Sequence, residues 1–238
     1  MEKIDKLKQM IAESNNIVVF TGAGVSTDSG LKDFRSKDGL YNEISDYPAE
    51  YMLSATCFYR EPELFYKYYK ANFNCLDKEP NEMHKYLKQL EDEGKLKAIV
   101  TQNIDGLHTK AGSKNVLEIH GTIYKNKCIS CGKEYGPEYI FKAKDIPYCI
   151  CGSIIKPCVT LYEEALPVDF DRSIDYISSA DMLIVMGSSL TVYPAASLIN
   201  YFHGKYLVVI NNDSTSADTK ASLVINDNIA KVAKCLNK

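Results

Sequence analysis

The sequence lacks the features that mark membrane and nucleic-acid-binding proteins. No stretch approaches the roughly 18 consecutive apolar residues that a transmembrane helix requires. The formal net charge of −3 gives no strong field of either sign, so we expect neither a nucleic-acid partner nor binding to an anionic membrane. Internal repeats and low-complexity tracts are also absent, which excludes a solenoid or a linker-rich chain.

The first residues lack the pattern of an export signal. They form a charged, amphipathic stretch rather than a basic stub followed by an apolar run, so we expect neither a signal peptide nor an anchor. The chain has 8 cysteines, and thiols without a secretory signal are typical of a reducing compartment, so we expect a cytoplasmic protein. Its 238 residues, 45% of them hydrophobic, suit one large domain or one domain with a small insertion.

Short apolar runs rich in Val and Ile recur along the chain and alternate with helical patterns. We expect a first helix to begin near Ile4 and to end near Asn15, and a later helix to end at Gly94 in the left-handed conformation. The runs that we interpret as strands cover residues 17–20, 97–103, 116–121, 181–187, 206–211 and 221–226. Strands that are apolar on both faces imply an α/β fold, a Rossmann-like parallel sheet with helices on both faces.

Four cysteines have the spacing of metal ligands. Cys128 and Cys131 form a C-x2-C pair, and Cys149 and Cys151 follow as C-x-C. Two such pairs can supply four thiolates at tetrahedral geometry, which favours one structural Zn²⁺; the alternatives are two disulfides or four unrelated buried thiols. A catalytic metal would keep an open position and usually recruit histidine. We therefore expect a small zinc-binding domain, inserted in the chain, whose metal does not touch the substrate.

A glycine-rich turn follows the first predicted strand. Gly22, Gly24 and Gly30 stand where the pyrophosphate of a dinucleotide would approach the backbone. Ser26 and Thr27 add hydroxyl donors near an expected helix N-terminus. The spacing is not that of the G-x-G-x-x-G fingerprint. Because a merely tight strand-to-helix turn would have the same composition, the turn indicates a nucleotide site only together with its neighbours.

Polar side chains follow the next two predicted strands. His120 is expected to end a strand at the carboxyl edge of the sheet, where ligands of open α/β sheets bind. Gln102, Asn103 and Asp105 follow the preceding strand and should converge on the same edge. A neutral imidazole can accept a proton from a ribose hydroxyl, so His120 is a candidate general base. The alternative is a histidine that satisfies a hydrogen bond in the core.

Several sequence blocks in fixed order resemble the sirtuins, which are NAD-dependent protein-lysine deacylases. The blocks are GAGVSTDSGLKDFR, TQNIDGLHTKAG, LEIHGT and GSSLTVYPAA, at residues 22–35, 101–112, 117–122 and 187–196. The cysteine cluster also lies in the family's place. The resemblance covers residues 18–225, nearly the whole chain.

The resemblance implies roles for the residues at the sheet edge. In sirtuins the match to His120 is the general base, the match to Asn103 orients the nicotinamide ribose and a water, and the match to Asp105 recognises the nicotinamide amide. Phe34 would shield the reactive ribose carbon from premature hydrolysis. The positions that match the family's NAD pocket are Gly22, Ala23, Gly24, Thr27, Phe34, Arg35, Gln102, Asn103, Ile104, Asp105, His120, Gly187, Ser188, Ser189 and Asn211, with Asn228 and Ile229 near the adenine.

The implied reaction consumes NAD without a redox step. The resemblance implies that the acyl-lysine carbonyl oxygen attacks the nicotinamide ribose carbon, expels nicotinamide and leaves an alkylamidate. The base then deprotonates the ribose, the 2′-hydroxyl attacks the imidate carbon, and one water completes the release of the lysine, so that the acyl group passes to ADP-ribose. The products are free lysine, nicotinamide and O-acyl-ADP-ribose. We therefore expect a NAD-dependent protein-lysine deacetylase with NAD as co-substrate and one structural Zn²⁺. The alternatives are a protein mono-ADP-ribosyltransferase that uses the same NAD site and a non-catalytic NAD-binding or zinc-binding module.

Segment 154–167, IIKPCVTLYEEALP, is the candidate binding site for the peptide substrate. It aligns with the family segment that pairs with an extended acyl-lysine peptide by strand addition, so acetylated proteins are the expected partners. Val159 would contact the acyl-lysine, and Tyr162, Glu163 and Glu164 stand where most members have F-G-E. The acidic pair would favour peptides with nearby Lys or Arg, or would simply be a solvated surface.

The expected acyl preference follows from the aromatic helical pattern PELFYKYYKANF. Sirtuins that prefer malonyl or succinyl groups carry a Tyr and an Arg three residues apart on this helix. Tyr66 matches the tyrosine and is a candidate substrate contact, but Tyr69 stands in place of the arginine. Without a guanidinium clamp for a distal carboxylate, we expect neutral acyl groups, acetyl first. Lys67 or Lys70 could compensate only as a less well-placed point charge.

Other positions depart from the family pattern or have only ordinary interpretations. Leu31 and Lys32 replace a frequent Ile-Pro pair, which leaves the cofactor loop less rigid. Cys158 replaces a common Asp or Asn, and we interpret it either as a fifth thiol near the zinc or as a small buried residue. We treat His84 and His203 as surface or packing residues on helical patterns.

The expected domain division follows these segments. A Rossmann-like NAD-binding domain takes residues 1–35, 76–122 and 161–238. A small domain takes the helical module 36–75 and the zinc-ribbon module 123–160. The sequence leaves the oligomeric state open, and a monomer is compatible with it.

Overall fold

The computed structural model describes residues 2–36, 39–42 and 46–237, and the other residues of the predicted domain ranges lie outside the described ones. Its α-helices are α1 (Glu2–Glu13), α2 (Ala49–Met52), α3 (Ala55–Arg60), α4 (Pro62–Phe73), α5 (Glu82–Asp92), α6 (Leu107–Lys110), α7 (Pro137–Lys142), α8 (Val168–Ser179) and α9 (Ile229–Leu236). Its strands are β1 (Ile17–Thr21), β2 (Leu96–Thr101), β3 (Val116–Glu118), β4 (Gly121–Cys128), β5 (Glu134–Tyr135), β6 (Ile155–Val159), β7 (Met182–Met186), β8 (Tyr206–Asn211) and β9 (Leu223–Asn226). In this part of the chain, no helix combines the length and the hydrophobicity that a membrane crossing needs.

The main sheet has six parallel strands in the order β3-β2-β1-β7-β8-β9. Val and Ile dominate these strands because β-branched side chains fit a buried, pleated surface, and every residue of β1 and β7 is buried. The chain runs outward from β1 to β3 and then restarts at β7 on the other side of β1. The strand order therefore reverses between β1 and β7, which is where open α/β sheets bind ligands.

Helices cover both faces of this sheet. On one face, Leu87 of α5 and Val232 of α9 share a core with Val19 of β1. On the other face, Ile177 of α8 shares a second core with Val18, the neighbouring residue of β1. Successive side chains of a strand point to opposite faces, so one apolar run feeds both cores. The predicted Rossmann-like sheet with helices on both faces is confirmed.

The ends of α5 show how the sequence sets helix boundaries. The side chain of Asn81 accepts the N–H groups of Met83 and His84 at the start, and Gly94 follows the helix with φ at 72°. The left-handed end predicted at Gly94 is confirmed. His84 is buried on this helix, whereas His203 is exposed and lies outside any helix, so the helical pattern assigned to His203 was wrong.

A second, antiparallel sheet with the strand order β5-β4-β6 forms a smaller unit with nearby helices. Its core joins Phe58 of α3 and Phe65 of α4 to Ile123, Ile140 and Ile155 from β4, α7 and β6. The predicted helical module and the cysteine-containing module thus share one core, while the division of the chain into two domains stays a prediction. In the described residues, β6 is an edge strand of this sheet.

Candidate active site

A cavity of about 350 Å³ opens at the carboxyl edge of the main sheet, where the strand order reverses. The loops after β1, β2 and β7 form much of its wall, and the segment from Val159 to Glu164 forms another part. Phe34, Phe73 and Leu161 add apolar surface. A concave site with apolar walls and a few convergent polar groups is typical of a ligand-binding site.

The glycines after β1 and β7 are required by the contact between two loops. A Cβ on Gly24 would lie 2.7 Å from Cα of Gly187, and a Cβ on Gly22 would lie 2.7 Å from the carbonyl oxygen of Gly187. Gly187 has a φ of 63°, in the left-handed region that favours glycine. The predicted helix N-terminus was wrong, because 3₁₀ turns at Ala23–Val25 and Thr27–Ser29 follow β1. The close loop contact gives these glycines a structural role at the cavity.

His120 has the hydrogen bonding of a neutral base. It lies in the turn after β3, which ends at Glu118, and not at the end of a strand as predicted. Nδ1 lies 3.1 Å from the backbone carbonyl oxygen of Gln102. Since a carbonyl only accepts, Nδ1 carries the proton and Nε2 keeps a lone pair. Burial lowers the pKa of His120, although the bond to Gln102 opposes this, so the ring is neutral near physiological pH. Because His120 also lines the cavity, a purely core role does not account for its position.

Ser26 connects Asn103 and Asp105. Its hydroxyl donates to Oδ2 of Asp105 at 2.7 Å and accepts from Nδ2 of Asn103 at 3.2 Å. Oδ1 of Asp105 accepts the N–H of Leu107 at 2.9 Å. Burial raises the pKa of Asp105, and the bonds from Leu107 and Ser26 act in the opposite direction. These bonds fix both side chains at the cavity. The sequence marked Ser26 only as a donor, because its bridging role depends on the contact between loops.

The structure brings the predicted NAD-site residues together, with two exceptions. On the cavity wall lie Gly22, Ala23, Gly24, Thr27, Phe34, Arg35, Gln102, Asn103, Ile104, Asp105, His120, Gly187, Ser188, Ser189, Asn211 and Ile229. Nε2 of Gln102 donates to Oγ of Ser188 at 2.8 Å, which joins the loops after β2 and β7. Gly30 and Asn228 are not among the wall residues of the described chain. Asn228 caps α9 by accepting the N–H of Lys231 at 3.0 Å, and its place near the adenine stays a prediction.

The substrate-side residues Val159, Tyr162, Glu163 and Glu164 line the same cavity. Val159 ends the edge strand β6, so the free edge of the smaller sheet leads to the cavity. The hydroxyl of Tyr162 contacts that of Tyr41, whose ring centroid lies 5.4 Å from that of Phe34. Tyr41 thus links the cofactor side to the substrate side. Sequence reasoning missed Tyr41, because an aromatic residue in a polar loop carries no pattern of its own.

The carboxylates of Glu163 and Glu164 bind other groups of the chain. Glu163 accepts the N–H and the hydroxyl of Thr56, at 2.9 and 2.7 Å, at the start of α3. The backbone φ of Glu163 is 77°, which is unusual for a residue other than glycine. Glu164 pairs with Lys156 at 3.0 Å and accepts the N–H of Leu161 at 2.9 Å. Lys156 pairs with the charge of Glu164, whereas Glu163 is exposed and its bonds to the neutral Thr56 lower its pKa, so it stays ionised. The expected preference for basic peptides therefore stays a prediction that rests on Glu163.

The predicted substrate contact of Tyr66 stays a prediction. Its hydroxyl donates to the carbonyl of Ile155, and Tyr66 is absent from the described cavity wall. Tyr69, one turn later on α4, lines the cavity instead. Nζ of Lys70 donates to the carbonyl oxygens of Ala143 and Asp145, so this lysine is engaged away from the cavity.

The four metal-spaced cysteines form one cluster. The sulfurs of Cys128, Cys131, Cys149 and Cys151 all lie within 4.8 Å of one another, with the 128–151 pair at 3.4 Å and the 131–149 pair at 3.6 Å. Disulfides would need about 2.05 Å, whereas a tetrahedron with Zn–S bonds of about 2.3 Å has sulfur–sulfur edges of about 3.8 Å. The donor set therefore fits one structural Zn²⁺ with no open position. Cys158 lies outside the cluster and is half-buried on β6.

Comparisons with known proteins agree with this geometry. The model of the Sir2 family matches residues 22–194. The NAD-dependent protein deacetylase of Clostridium perfringens is 55% identical over 236 residues, covering 97% of this chain and 97% of that protein. The NAD-dependent protein deacetylase of Clostridium acetobutylicum is 52% identical over 237 residues, covering 98% of this chain and 97% of that protein.

Solved Sir2 structures have the same fold. A Sir2 variant with a deacetylated p53 peptide and 3′-O-acetyl ADP ribose superposes with a TM-score of 0.92 at 36% identity, covering 98% of this chain and 97% of that one. Sir2 with a p53 peptide and NAD⁺ gives a TM-score of 0.86 at 38% identity, covering 98% and 96%. With the family model spanning residues 22–194 and relatives matching along nearly their whole length, the chain belongs to the Sir2 family.

Proposed function

We propose that the chain is a NAD-dependent protein-lysine deacetylase that transfers the acetyl group to ADP-ribose and releases nicotinamide. The observation that carries the proposal is the neutral His120 in the same cavity as the Asn103–Ser26–Asp105 network, at the reversal point of the sheet. The family membership and the names of its relatives support the same activity. When bound, NAD supplies an electrophilic ribose carbon and a leaving group.

The residues of the chain provide binding, orientation and proton transfer. Nε2 of His120 takes a proton from a ribose hydroxyl, since its lone pair is available while Nδ1 is held by Gln102. Asn103 and Asp105 orient the nicotinamide end, and their bond to Ser26 limits the number of orientations they sample. Phe34 shields the reacting carbon from water.

The acyl group transferred is neutral, with acetyl first. Tyr69 lines the cavity at the position where an arginine would select acidic acyl groups, and a phenol cannot form a bidentate pair with a carboxylate. Lys70 is held by backbone carbonyls, and Lys67 is exposed on another side of α4. Neither lysine is placed to replace the guanidinium.

Acetylated proteins are the partners that the site accepts. The free edge of β6 can pair with an extended peptide through main-chain hydrogen bonds, which gives affinity with little demand on sequence. The tetrahedral thiolate cluster holds a structural Zn²⁺ and stabilises the sheet that carries this edge. We also place the protein in the cytoplasm, because none of its 8 cysteines is in a disulfide and a reducing compartment keeps thiols and thiolates unoxidised.

Mass spectrometry of the reaction mixture tests this function. Purified protein is incubated with NAD and an acetyl-lysine peptide, beside a His120→Ala control. We expect deacetylated peptide, nicotinamide and O-acetyl-ADP-ribose in equal amounts, all dependent on His120. ADP-ribosylated peptide or protein in their place would favour a mono-ADP-ribosyltransferase, and intact NAD would favour a non-catalytic binding module.

The same assay with a matched succinyl-lysine peptide tests the acyl preference. We expect a kcat/KM for the acetyl peptide at least about tenfold above that for the succinyl peptide, since a carboxylate would be buried without a cationic partner. Tyr69→Arg should narrow or reverse this ratio. Equal rates on both peptides with the unmodified chain would contradict the assignment.

A further inference from the structure

A buried line of hydrogen bonds runs from Asn103 into the interior of the main sheet. The N–H of Asn103 donates to Oγ1 of Thr101 at 3.0 Å, and Oγ1 of Thr101 lies 2.8 Å from Oγ1 of Thr21, its register partner on β1. Oγ1 of Thr21 lies 3.1 Å from Nε2 of His108 on α6. Thr21, Thr101 and His108 are at most 2% exposed and are not wall residues of the described cavity. Their side-chain hydrogen bonds reach the cavity wall at Asn103.

The hydroxyl of Thr21 fixes the proton direction along this line. It donates to Oγ1 of Thr101, so its single proton is used and Nε2 of His108 must donate to it. His108 therefore carries its proton on Nε2. Its ring packs against that of His84, with the two centroids 4.7 Å apart. Nδ1 of His84 accepts the N–H of Asn81 at 3.3 Å, so the proton of His84 is also on Nε2.

In this direction His108 donates to Thr21, Thr21 donates its only proton to Thr101, and Thr101 also accepts the N–H of Asn103. Burial lowers the pKa of His84 to about 4 and that of His108 well below its usual range. Both rings are therefore neutral near physiological pH, as the pattern requires.

We propose that Thr101, Thr21 and His108 are positioning residues, which hold the backbone of Asn103 in register with the end of β2 and so fix its side chain in the cavity. The N–H of Asn103 lies just beyond β2, and its acceptor is the side chain of Thr101 rather than a strand carbonyl. Small displacements of a catalytic group cost large factors in rate. This inference rests on the proposed function, because it assumes that Asn103 takes part in deacetylation.

Paired substitutions at Thr101 test the proposal. Thr101→Ser keeps the hydroxyl, and Thr101→Val keeps the shape but removes the acceptor. We expect the Ser variant to stay within about twofold of the unmodified chain in kcat, and the Val variant to lose about 10- to 100-fold in kcat with a much smaller change in the KM for NAD. Equal kcat values for two folded variants would overturn the proposal. If Thr101→Val does not fold, the pair Thr21→Ser and Thr21→Val gives the same comparison.

A matched control removes an equally buried hydroxyl elsewhere. Ser173 of α8 is 0% exposed, and its hydroxyl donates to the carbonyl of Asp169 within the same helix. Ser173→Ala should lower the melting temperature about as much as Thr101→Val while leaving kcat unchanged. If kcat falls in proportion to the melting temperature in both Ser173→Ala and Thr101→Val, the hydrogen-bond line has only a structural role, and the proposal is overturned.

The histidine tautomer tests the line without using activity. A long-range ¹H–¹⁵N spectrum of the labelled protein, with His108→Gln for assignment, should show His108 protonated on Nε2 alone. Protonation on Nδ1 would overturn the proposed direction. A chain that shows the Nε2 tautomer but no turnover would refute the proposed function and leave the hydrogen-bond line standing, so the two failures are distinguishable.

Discussion

The main sheet and the cysteine-containing sheet are stabilised in different ways. Every residue of β1 and β7 is buried, and their side chains feed two cores on opposite faces. In the cysteine-containing unit, β5 has only two residues and large apolar side chains such as Ile150 and Tyr148 are 81% and 50% exposed. A sheet this small gains little from burial and needs a cross-link, which the four thiolates can supply through a metal. In the proposed function, the packed main sheet carries the chemistry, and the small sheet presents the free edge of β6 beside a cluster of four thiolates that fits a metal.

The largest effect should follow from breaking the metal cluster. Cys128→Ala leaves three thiolates, and apparent zinc-binding free energies in small domains are about 10–16 kcal/mol, more than this unit can recover by burial. We expect the variant to lose zinc and to be insoluble or partly unfolded, as measured by elemental analysis and thermal melting. Cys235→Ala, at an exposed cysteine on α9, is the control and should change neither. A soluble, zinc-free Cys128→Ala protein with full activity would contradict the structural role.

Removal of the general base should abolish turnover but spare the scaffold. We expect His120→Ala to lose about 10²- to 10⁴-fold in deacetylation, because only this neutral imidazole is assigned to remove the ribose proton. His203→Ala, at an exposed histidine, is the control and should leave the rate unchanged. The melting temperatures of both variants should stay close to that of the unmodified chain. A large loss of melting temperature for His120→Ala would assign it to the core instead.

A pair of apolar truncations compares burial in the two regions directly. Leu183 of β7 is 0% exposed, so Leu183→Ala should cost about 2–5 kcal/mol in the free energy of unfolding. Ile150 lies between two of the metal ligands and is 81% exposed, so Ile150→Ala should change the free energy of unfolding by no more than about 0.5 kcal/mol. Denaturant titration measures both values. Similar costs at the two sites would mean that the cysteine-containing unit depends on burial after all.

The smallest predicted effect is the change of kcat/KM with pH. Burial lowers the pKa of His120 from its usual value of 6.5, and the base acts only in its neutral form. We therefore expect kcat/KM to be level near neutral pH and to fall as the pH drops below 6.5 and through the lowered pKa. An acidic limb with its midpoint above 6.5 would contradict the burial that the structure assigns to His120.

Local patterns in the sequence predicted most of the scaffold. Runs such as 182–186 are apolar on both faces, which only a sheet covered on both sides accommodates, and Gly94 marks a helix end by its own conformational freedom. The cysteine cluster was predictable because ligand spacing is fixed by the geometry of a metal. The positions after the predicted strands indicated the glycine turn and the polar residues of the cavity wall, and the resemblance to the sirtuins implied the others.

The remaining features depend on contacts that local patterns do not determine. Whether Tyr66 or Tyr69 lines the cavity depends on how α4 packs against β6, and Asn228 caps a helix whose start the sequence did not predict. In the acidic pair after β6, Glu163 binds Thr56 of α3, and Glu164 pairs with Lys156 of β6 itself. The hydrogen-bond line behind Asn103 joins residues 21, 101 and 108, which meet only when β1 and β2 pair.

The division of labour between the two regions is tested most directly by measuring zinc content and deacetylated peptide on the same samples of the unmodified chain and His120→Ala. We predict one zinc per chain in both samples, with deacetylation in the unmodified chain alone. Deacetylation that persists without the imidazole of His120, or zinc that is lost together with it, would show that the chemistry and the metal are not separated as the structure indicates.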